Sequence, residues 1–148
     1  MLRREDRMKS FASSITINAS PANVWDILVA GDRYTAWNPT VTGLDGRIGL
    51  GETIKVHVAI NPGRAFPVKV TALDVPTRMV WTGGMPLGLF KGERVFTFTP
   101  AGGGTAFSMR EQFTGPLAPL FGRMIPDLQP AFDEFAQALK REAEKTRG

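Results

Sequence analysis

The sequence predicts an α+β domain in which an antiparallel sheet of about seven strands is covered by one long C-terminal helix. Two observations lead to this prediction. Short segments of alternating apolar and polar residues fill the chain from about position 11 to position 113, separated by glycine- and proline-rich turns. After position 117 the apolar spacing changes to three and four residues, the period of an amphipathic helix. At 148 residues and 43% hydrophobic content, the chain has the size of one domain with a sizeable core.

Two short helices are expected directly after the first strand. Residues 11–18, FASSITIN, predict that strand. Ser20 and Pro21 then supply an N-cap and a first-turn proline for the first helix. The Gly-Asp pair at 31–32 interrupts this helix, and the following DRYTAW predicts a second helical turn. The turn ends before Pro39, because the residue that precedes a proline disfavours helix.

The middle of the chain predicts an antiparallel meander. Its strands are expected at residues 43–48, 52–60, 66–73, 78–82, 89–99 and 104–113, separated by the turn sequences NPG, VPT, GGMPLG and AGGG. Each strand has one apolar face, since successive side chains point to opposite sides of a sheet. On this basis the inner face receives Phe66, Val68, Met79 and Trp81.

The last two strands form a hairpin whose apolar face carries charge. They occupy the segment from Gly92 to Gly115, GERVFTFTPAGGGTAFSMREQFTG. A register that pairs Phe98 with Phe107 beside the turn places Arg94 opposite Glu111. The same face also carries Phe96, Met109 and Phe113. Because burying two charges is costly unless they are paired, we expect an ion pair, either structural or facing a cavity.

The last third of the chain predicts a long amphipathic helix that lies on the sheet. Its apolar residues include the large side chains of Leu128, Phe132 and Phe135. Pro126 and Pro130 fall inside the pattern, and each lacks the N–H that would bond to the carbonyl four residues earlier. We therefore expect a kink or break near residues 122–130 and a continuous helix from about Leu128.

The formal net charge of +4 is concentrated at the two ends of the chain. Residues 1–10 contain four basic and two acidic residues, and residues 140–148 contain the same numbers. Mixed-sign tails around a neutral body are typical of a solvated surface, so we expect no nucleic-acid partner. We assign residues 1–10 to a basic, flexible extension and residues 11–148 to a single domain.

Composition excludes several other classes of protein. No apolar run approaches the roughly 20 residues that span a bilayer, so we expect a cytoplasmic protein without a transmembrane segment. The absence of cysteine excludes disulfides, thiol nucleophiles and cysteine-ligated metals. The one histidine, His57, lies on the polar face of its strand, which favours a solvated residue over a catalytic one. We expect neither a metal site nor a cofactor.

Four stretches of the chain, in their order, resemble the START-like or SRPBCC superfamily, which has the helix-grip fold. They are ITINASPANVWDIL, YTAWNP at residues 34–39, MVWTGG at residues 79–84, and the hairpin sequence above. The chain looks most similar to the small bacterial polyketide cyclase/dehydrase-like proteins. The resemblance implies a curved sheet that grips the long helix, with a mostly apolar cavity between them for a small hydrophobic molecule. It does not imply a reaction, because this fold serves many functions.

We therefore expect ligand contacts on the inner face of the sheet and on the long helix. Arg94 and Glu111 are the polar candidates, with a purely structural ion pair as the alternative. The other candidates are apolar and comprise Phe66, Val68, Met79, Trp81, Phe96, Met109, Phe113, Leu128, Phe132 and Phe135. Trp25 and Trp37 are interpreted mainly as structural residues that pack helix against sheet.

Three functions remain open at this stage. The first is a binding or carrier protein for a small hydrophobic or amphipathic ligand. The second is a cyclase or dehydrase in which Glu111 is the general base and Arg94 stabilises an enolate oxygen, although the nearby strands offer no further acid/base residue. The third is a protein-interaction module similar to the chaperone-regulating branch. A homodimer is also left open.

The loop GGMPLGLF, residues 83–90, is a candidate lid. It presents Met85, Leu87, Leu89 and Phe90 among glycines and a proline. Such a segment combines mobility with apolar surface, so it can close over a ligand, fold into the core or contact a partner. The sequence does not choose between these three roles.

Overall fold

Seven antiparallel strands form one sheet in the computed structural model, which describes residues 9–145. Across the sheet the strands follow the order β1-β7-β6-β5-β4-β3-β2. The bounds are β1 Lys9–Ile17, β2 Val41–Asp45, β3 Thr53–Val58, β4 Ala65–Asp74, β5 Arg78–Gly84, β6 Lys91–Ala101 and β7 Gly104–Thr114. The predicted strand number and the antiparallel meander are confirmed, and β1 returns to pair with β7.

Helices follow the first strand and end the chain. Two short helices come after β1, namely α1 Pro21–Val29 and α2 Tyr34–Trp37, with a 3-10 turn Gly31–Arg33 between them. The others are α3 Ala118–Phe121 and α4 Gln129–Lys145, with 3-10 turns at Pro86–Gly88 and Gly122–Met124. This order confirms the predicted α+β helix-grip fold. Among the residues that the structure describes, no helix has the length and apolar character needed to cross a membrane.

The β6–β7 hairpin has the predicted register. Phe98 lies opposite Phe107, and Arg94 lies opposite Glu111. The chain reverses through Gly102 and Gly103, whose φ angles of 54° and 87° lie in the left-handed region that glycine adopts without strain. Because side chains alternate along each strand, this register places the charged pair on the same face as the aromatic residues.

The core lies between the inner face of the sheet and α4. The helix buries Phe132, Phe135 and Leu139 against the strands. The Phe135 ring lies 6.1 Å from that of Phe96, measured between centroids. At the edge, the side-chain amide of Gln129 donates to the carbonyl of Ala12 (2.6 Å), which fastens α4 to β1. The sheet therefore wraps a helix that is anchored at its first strand.

The C-terminal helix breaks where the prolines predict. The backbone leaves α3 through the 3-10 turn and resumes as α4 at Gln129. Pro126 lies in the non-helical stretch, whereas Pro130 is the second residue of α4. A proline is tolerated there because the first N–H groups of a helix have no intrahelical partner. The expected break and the continuous helix from about Leu128 are both confirmed, and Pro130 lies in the first turn of α4.

Strand boundaries differ from the sequence expectation by a few residues. The first strand starts at Lys9 and not at position 11, and the second covers Val41–Asp45 and not 43–48. The third strand ends at Val58 and not at residue 60, so Ile60 lies beyond it and is 48% exposed. Residues 1–8 of the predicted basic extension lie outside the described residues.

Replacement of Phe98 by alanine should destabilise the fold strongly. Phe98 is 1% exposed, and its ring lies 5.1 Å from Trp25 and 5.4 Å from Phe107. Removing a phenylalanine from such a site leaves a cavity that costs about 3–5 kcal/mol. Urea denaturation should measure this loss, while Leu87→Ala, at a side chain that is 96% exposed, should change the unfolding free energy by less than about 0.5 kcal/mol. Equal effects of both substitutions would contradict the core assignment.

Candidate functional site

Arg94 and Glu111 form an ion pair on the inner face of the sheet. The Nε–H of Arg94 donates to Oε1 of Glu111 at 2.6 Å, and the two side chains are 21% and 14% exposed. The guanidinium carbon also lies 4.6 Å from the centre of the Phe132 ring on α4. The carboxylate of Glu111 and the face of the Phe132 ring both stabilise the positive charge of Arg94, which therefore can lie next to an otherwise apolar helix face. The predicted ion pair is confirmed.

The predicted lining residues fall into two groups. Six are at most 3% exposed and fill the space between sheet and helix, namely Met79, Trp81, Phe96, Met109, Phe132 and Phe135. Three of the aromatic rings are in contact, with 4.9 Å between the centroids of Trp81 and Phe96 and 6.1 Å between those of Phe96 and Phe135. The other four are only partly buried, namely Phe66, Val68, Phe113 and Leu128. Space for a ligand is therefore easier to open beside the second group than within the first.

Two facing glycines bring Phe113 next to the charged pair. Gly83 of β5 lies opposite Gly92 of β6. A Cβ on Gly92 would lie 2.9 Å from the Phe113 ring and 3.4 Å from Oε2 of Glu111, so the missing side chain lets the ring cover the strand. A Cβ on Gly83 would lie 3.0 Å from Val68. The sequence analysis did not predict this pair of facing glycines, although the glycines in TGG and KGE were the signal for it.

The loop of the predicted lid packs against the segment that follows β7. The ring of Phe90 stacks on Phe113 (5.8 Å between centroids) and contacts Phe121 of α3 (5.6 Å). The N–H of Leu117 donates to the carbonyl of Leu89 at 2.9 Å. Around this contact lie five exposed apolar side chains, which we call the apolar rim, namely Met85, Leu87, Leu89, Leu120 and Met124. Three of the four lid candidates therefore face outward, and Phe90 faces the site.

Tyr34, the only tyrosine of the sequence, lies in the buried corner beside the ion pair. Its hydroxyl donates to the carbonyl of Leu28, and its ring lies 5.2 Å from Trp37 and 6.5 Å from Trp81. Burial raises the pKa of this hydroxyl far above its usual range, and the positive charge of Arg94 opposes the rise only in part. Tyr34 therefore stays neutral. Sequence reasoning missed its place beside the site, because α2 meets the sheet only through long-range packing.

The remaining polar candidates lie elsewhere. His57 is 38% exposed, and its Nε2 lies 2.9 Å from Oδ2 of Asp45, across the β2–β3 pair at the edge of the sheet. The prediction of a solvated histidine is confirmed. Within residues 9–145, no group of three or more His, Cys, Asp or Glu side chains lies close enough to hold a metal ion.

A shallow depression of about 210 Å³ lies on the opposite face of the sheet. The residues that line it are mostly small or polar, namely Ala12, Ser14, Val95, Thr97, Ser108, Met109 and Arg110. Val95 and Arg110 alternate with Arg94 and Glu111 along their strands, so this depression is separated from the ion pair by the sheet itself.

Residues 8–144 match the protein family described as polyketide cyclase/dehydrase and lipid transport. The matched residues include all seven strands, the aromatic interior and most of α4. The chain belongs to this family. No curated protein matches its sequence.

Solved structures share the fold of this polyketide cyclase/dehydrase and lipid transport family member. A START superfamily protein from Mycobacterium smegmatis is 17% identical, with a TM-score of 0.66 and coverage of 92% of this chain and 97% of the other. The Zhui aromatase/cyclase from Streptomyces sp. R1128 is 14% identical, with a TM-score of 0.70 and coverage of 93% and 94%. A norcoclaurine synthase from Thalictrum flavum is 14% identical, with a TM-score of 0.71 and coverage of 95% and 97%. At these identities the likeness establishes the fold alone.

Alkaline titration should show that Tyr34 of this family member cannot ionise while the protein is folded. The raised pKa means that the folded state keeps its proton above pH 10, whereas the unfolded state loses it near its ordinary value of about 10. The stabilising contribution is complete below about pH 10 and is lost above it, by up to about 1.4 kcal/mol per pH unit. Phenolate absorbance should therefore rise only together with the loss of far-ultraviolet circular dichroism. Phenolate formation in a protein that is still folded would contradict this.

A double-mutant cycle should detect coupling between Arg94 and Glu111. Arg94→Met or Glu111→Gln alone leaves one partly buried charge or dipole without its partner, so we expect a coupling free energy of about 1–3 kcal/mol in urea denaturation. The matched control is the exposed pair Arg78–Asp74, separated by 3.9 Å, where Arg78→Met and Asp74→Asn should couple by less than about 1 kcal/mol. Similar coupling in the two cycles would mean that burial adds nothing to the inner pair.

Proposed function

We propose that this chain binds and carries a small amphipathic molecule at the end of the sheet that holds Arg94 and Glu111. The observation that supports this most directly is a charged pair, only 21% and 14% exposed, set in an aromatic inner face. Within the described residues, Arg94 uses its Nε–H for Glu111, and a guanidinium has further N–H donors for a ligand. A ligand with a polar head and an apolar body matches such a surface.

The proposed position of the ligand body follows from burial. Phe113 and Leu128 are partly buried beside the pair, while the six tightly packed residues lie beneath them as a base. Leu128 is one helical turn before Phe132, whose ring contacts Arg94. An apolar body laid between Phe113 and Leu128 would therefore leave its head within reach of the guanidinium.

We propose that the loop of residues 83–90 acts as the lid of this site. Gly84 and Gly88 have φ angles of 133° and 67°, so the loop contains two positions whose backbone conformation only glycine adopts readily. Phe90 is the side chain that stacks on Phe113, so lifting the loop would uncover the ring that borders the ion pair. The apolar rim then surrounds the entrance.

A cyclase or dehydrase is the second candidate function. It is favoured by the family to which the chain belongs and by Oε2 of Glu111, since Arg94 bonds to Oε1 and leaves Oε2 for a proton. Tyr34 does not serve as its acid, because the hydroxyl donates to the carbonyl of Leu28. A protein-interaction module, the third alternative, would use the apolar rim as its contact surface.

Native mass spectrometry of freshly purified protein is the direct test of the carrier function. We expect a retained small molecule, which should leave when the protein is unfolded and extracted. Turnover of that molecule by the wild type and its loss in Glu111→Gln would favour the cyclase instead. A protein that purifies empty and binds no amphipathic probe would contradict the carrier proposal.

An anionic aromatic probe should require Arg94. We expect 1-anilinonaphthalene-8-sulfonate to bind the wild type, with fluorescence enhancement in the apolar site, and to bind Arg94→Met/Glu111→Gln at least about fivefold more weakly, because a charge-assisted hydrogen bond is lost. The double variant avoids an unpaired carboxylate that would repel the probe by itself. Arg78→Met, a change at an exposed arginine of β5, is the matched control and should keep wild-type affinity. Equal affinities in all three proteins would place the probe elsewhere.

A further inference from the structure

The side chain of Lys9, the first residue of β1, reaches the segment between β7 and α4. Its ammonium donates to the carbonyl of Ile125 at 2.8 Å and to the carbonyl of Gly122 at 3.3 Å. Gly122 begins the 3-10 turn Gly122–Met124, and Ile125 directly follows it. Carbonyls gather at the C-terminal end of a helical turn, where a lysine is a favourable hydrogen-bond donor. Lys9 therefore fastens this turn to the first strand of the sheet.

Few buried side chains hold the segment that Lys9 reaches. We call residues 115–128 the entrance segment, which contains α3 and the 3-10 turn. Within it Ala118 alone is buried, and the apolar side chains of Leu120 and Met124 are exposed. A segment with so few buried apolar contacts opens at a lower free-energy cost than the core does. The two hydrogen bonds from Lys9 therefore matter more here than they would at a core element.

The entrance segment is joined to the loop proposed as the lid, which we call the lid loop. The N–H of Leu117 donates to the carbonyl of Leu89 at 2.9 Å. At Gly115 the two backbones touch, since a Cβ there would lie 2.6 Å from the carbonyl oxygen of Leu89. The rings of Phe90 and Phe121 add an apolar contact, with 5.6 Å between their centroids. Because of these contacts, movement of the entrance segment carries the lid loop with it.

Lys9 lies at the end of the sheet that holds the charged pair. Its register partner on β7 is Phe113, whose ring borders that pair. Its Nζ lies 5.9 Å from the centre of the Phe11 ring, and this ring lies 6.0 Å from that of Phe132. The Phe132 ring in turn contacts Arg94. Lys9 therefore lies beside the proposed entrance to the site.

We infer that Lys9 is the latch of the ligand entrance. While its ammonium bonds to Gly122 and Ile125, the entrance segment and the lid loop are held against the sheet, and when these bonds break the two move away together. This inference rests on the proposed function and names the residue that regulates access to the site. Hydrogen bonds to backbone carbonyls at a partly exposed position can break and re-form while the domain stays folded. Lys9 acts through the segment that it holds, so it is a positioning residue and not a ligand contact.

The kinetics of ligand exchange test this inference. Lys9→Met keeps an unbranched stem and removes the ammonium, so it should make opening easier in the free and in the bound protein alike. We expect the association and dissociation rate constants of 1-anilinonaphthalene-8-sulfonate, measured by stopped-flow fluorescence, each to rise about fivefold, as for the loss of one net hydrogen bond. Their ratio gives the dissociation constant, which should stay within about twofold of the wild-type value. A residue that only stabilises the fold would not change both rate constants by the same factor.

Two further variants make the kinetic test specific. Lys140→Met is the matched control, because Lys140 donates to the carbonyl of Thr16 at 2.8 Å and fastens the other end of β1 to α4. It removes the same charge and the same kind of bond away from the entrance, so both rate constants should keep their wild-type values. Lys9→Arg keeps the charge and offers N–H donors for the two carbonyls, so it should restore the slow kinetics of the wild type. Urea denaturation verifies that each variant folds.

Hydrogen exchange of the ligand-free protein tests the latch without any ligand. The amides of Leu117 and Met85 report on the entrance segment and on the lid loop, since both donate to carbonyls of that loop. In Lys9→Met both amides should exchange about fivefold faster than in the wild type, while amides between β6 and β7 should keep their rates. Lys140→Met should leave both amides unchanged.

The outcomes separate this inference from the proposed function. Faster exchange at Leu117 and Met85, together with faster probe kinetics at unchanged affinity, would support the latch. Unchanged amide exchange in Lys9→Met would overturn it and leave the carrier function standing. Faster amide exchange with wild-type probe kinetics would also overturn it, since the probe would then enter elsewhere. Failure of the wild type to bind any amphipathic probe would contradict the proposed function, and with it the role of Lys9 at a ligand entrance.

Discussion

The pairing of β6 with β7 is the interaction on which the rest of the structure depends. One register aligns Phe98 with Phe107 and Arg94 with Glu111. The two strands also pair outward with β5 and β1, so the same register determines which residues face α4 across four strands. A slip by one residue would turn the aromatic side chains to solvent and bring Val95 and Arg110 inside, because side chains alternate with a period of two. The register of β6 with β7 therefore determines both which side chains form the core and where the charged pair lies.

Polar groups on the inner face of the sheet distinguish this interior from a purely apolar core. An interior made only of phenylalanine and methionine would need close packing but no hydrogen-bond partners. Here the Arg94 charge is shared between a carboxylate and the Phe132 ring. The neighbouring corner adds buried N–H donors of Trp37, Asn38 and Trp81 that have no acceptor among the described residues. Burying such groups costs stability, and this cost is the physical basis on which the ligand site is proposed here.

Local patterns predicted the fold better than the site. Alternation and turn residues predicted seven strands and the Arg94–Glu111 register, since both follow from spacing within one hairpin. The donors of Trp37 and Asn38 could not be predicted in this way, because they reach the sheet only when α2 packs against β5 and α4 over a long sequence separation. The partial burial of Phe113 depends on Gly83 and Gly92, which meet across two strands.

The return of β1 to the far edge of the hairpin has a consequence for the synthesis of the protein. Lys9–Ile17 is translated early, yet its sheet partner is β7, and the helix that holds it through Gln129 and Lys140 is made later still. Contacts of such long sequence separation slow folding, because the loop between them must close first. On the ribosome, β1 must therefore remain an unpaired strand until nearly the whole domain has emerged. During that interval the backbone N–H and C=O groups of β1 have no strand partner, and an unpaired strand of this kind is prone to aggregate.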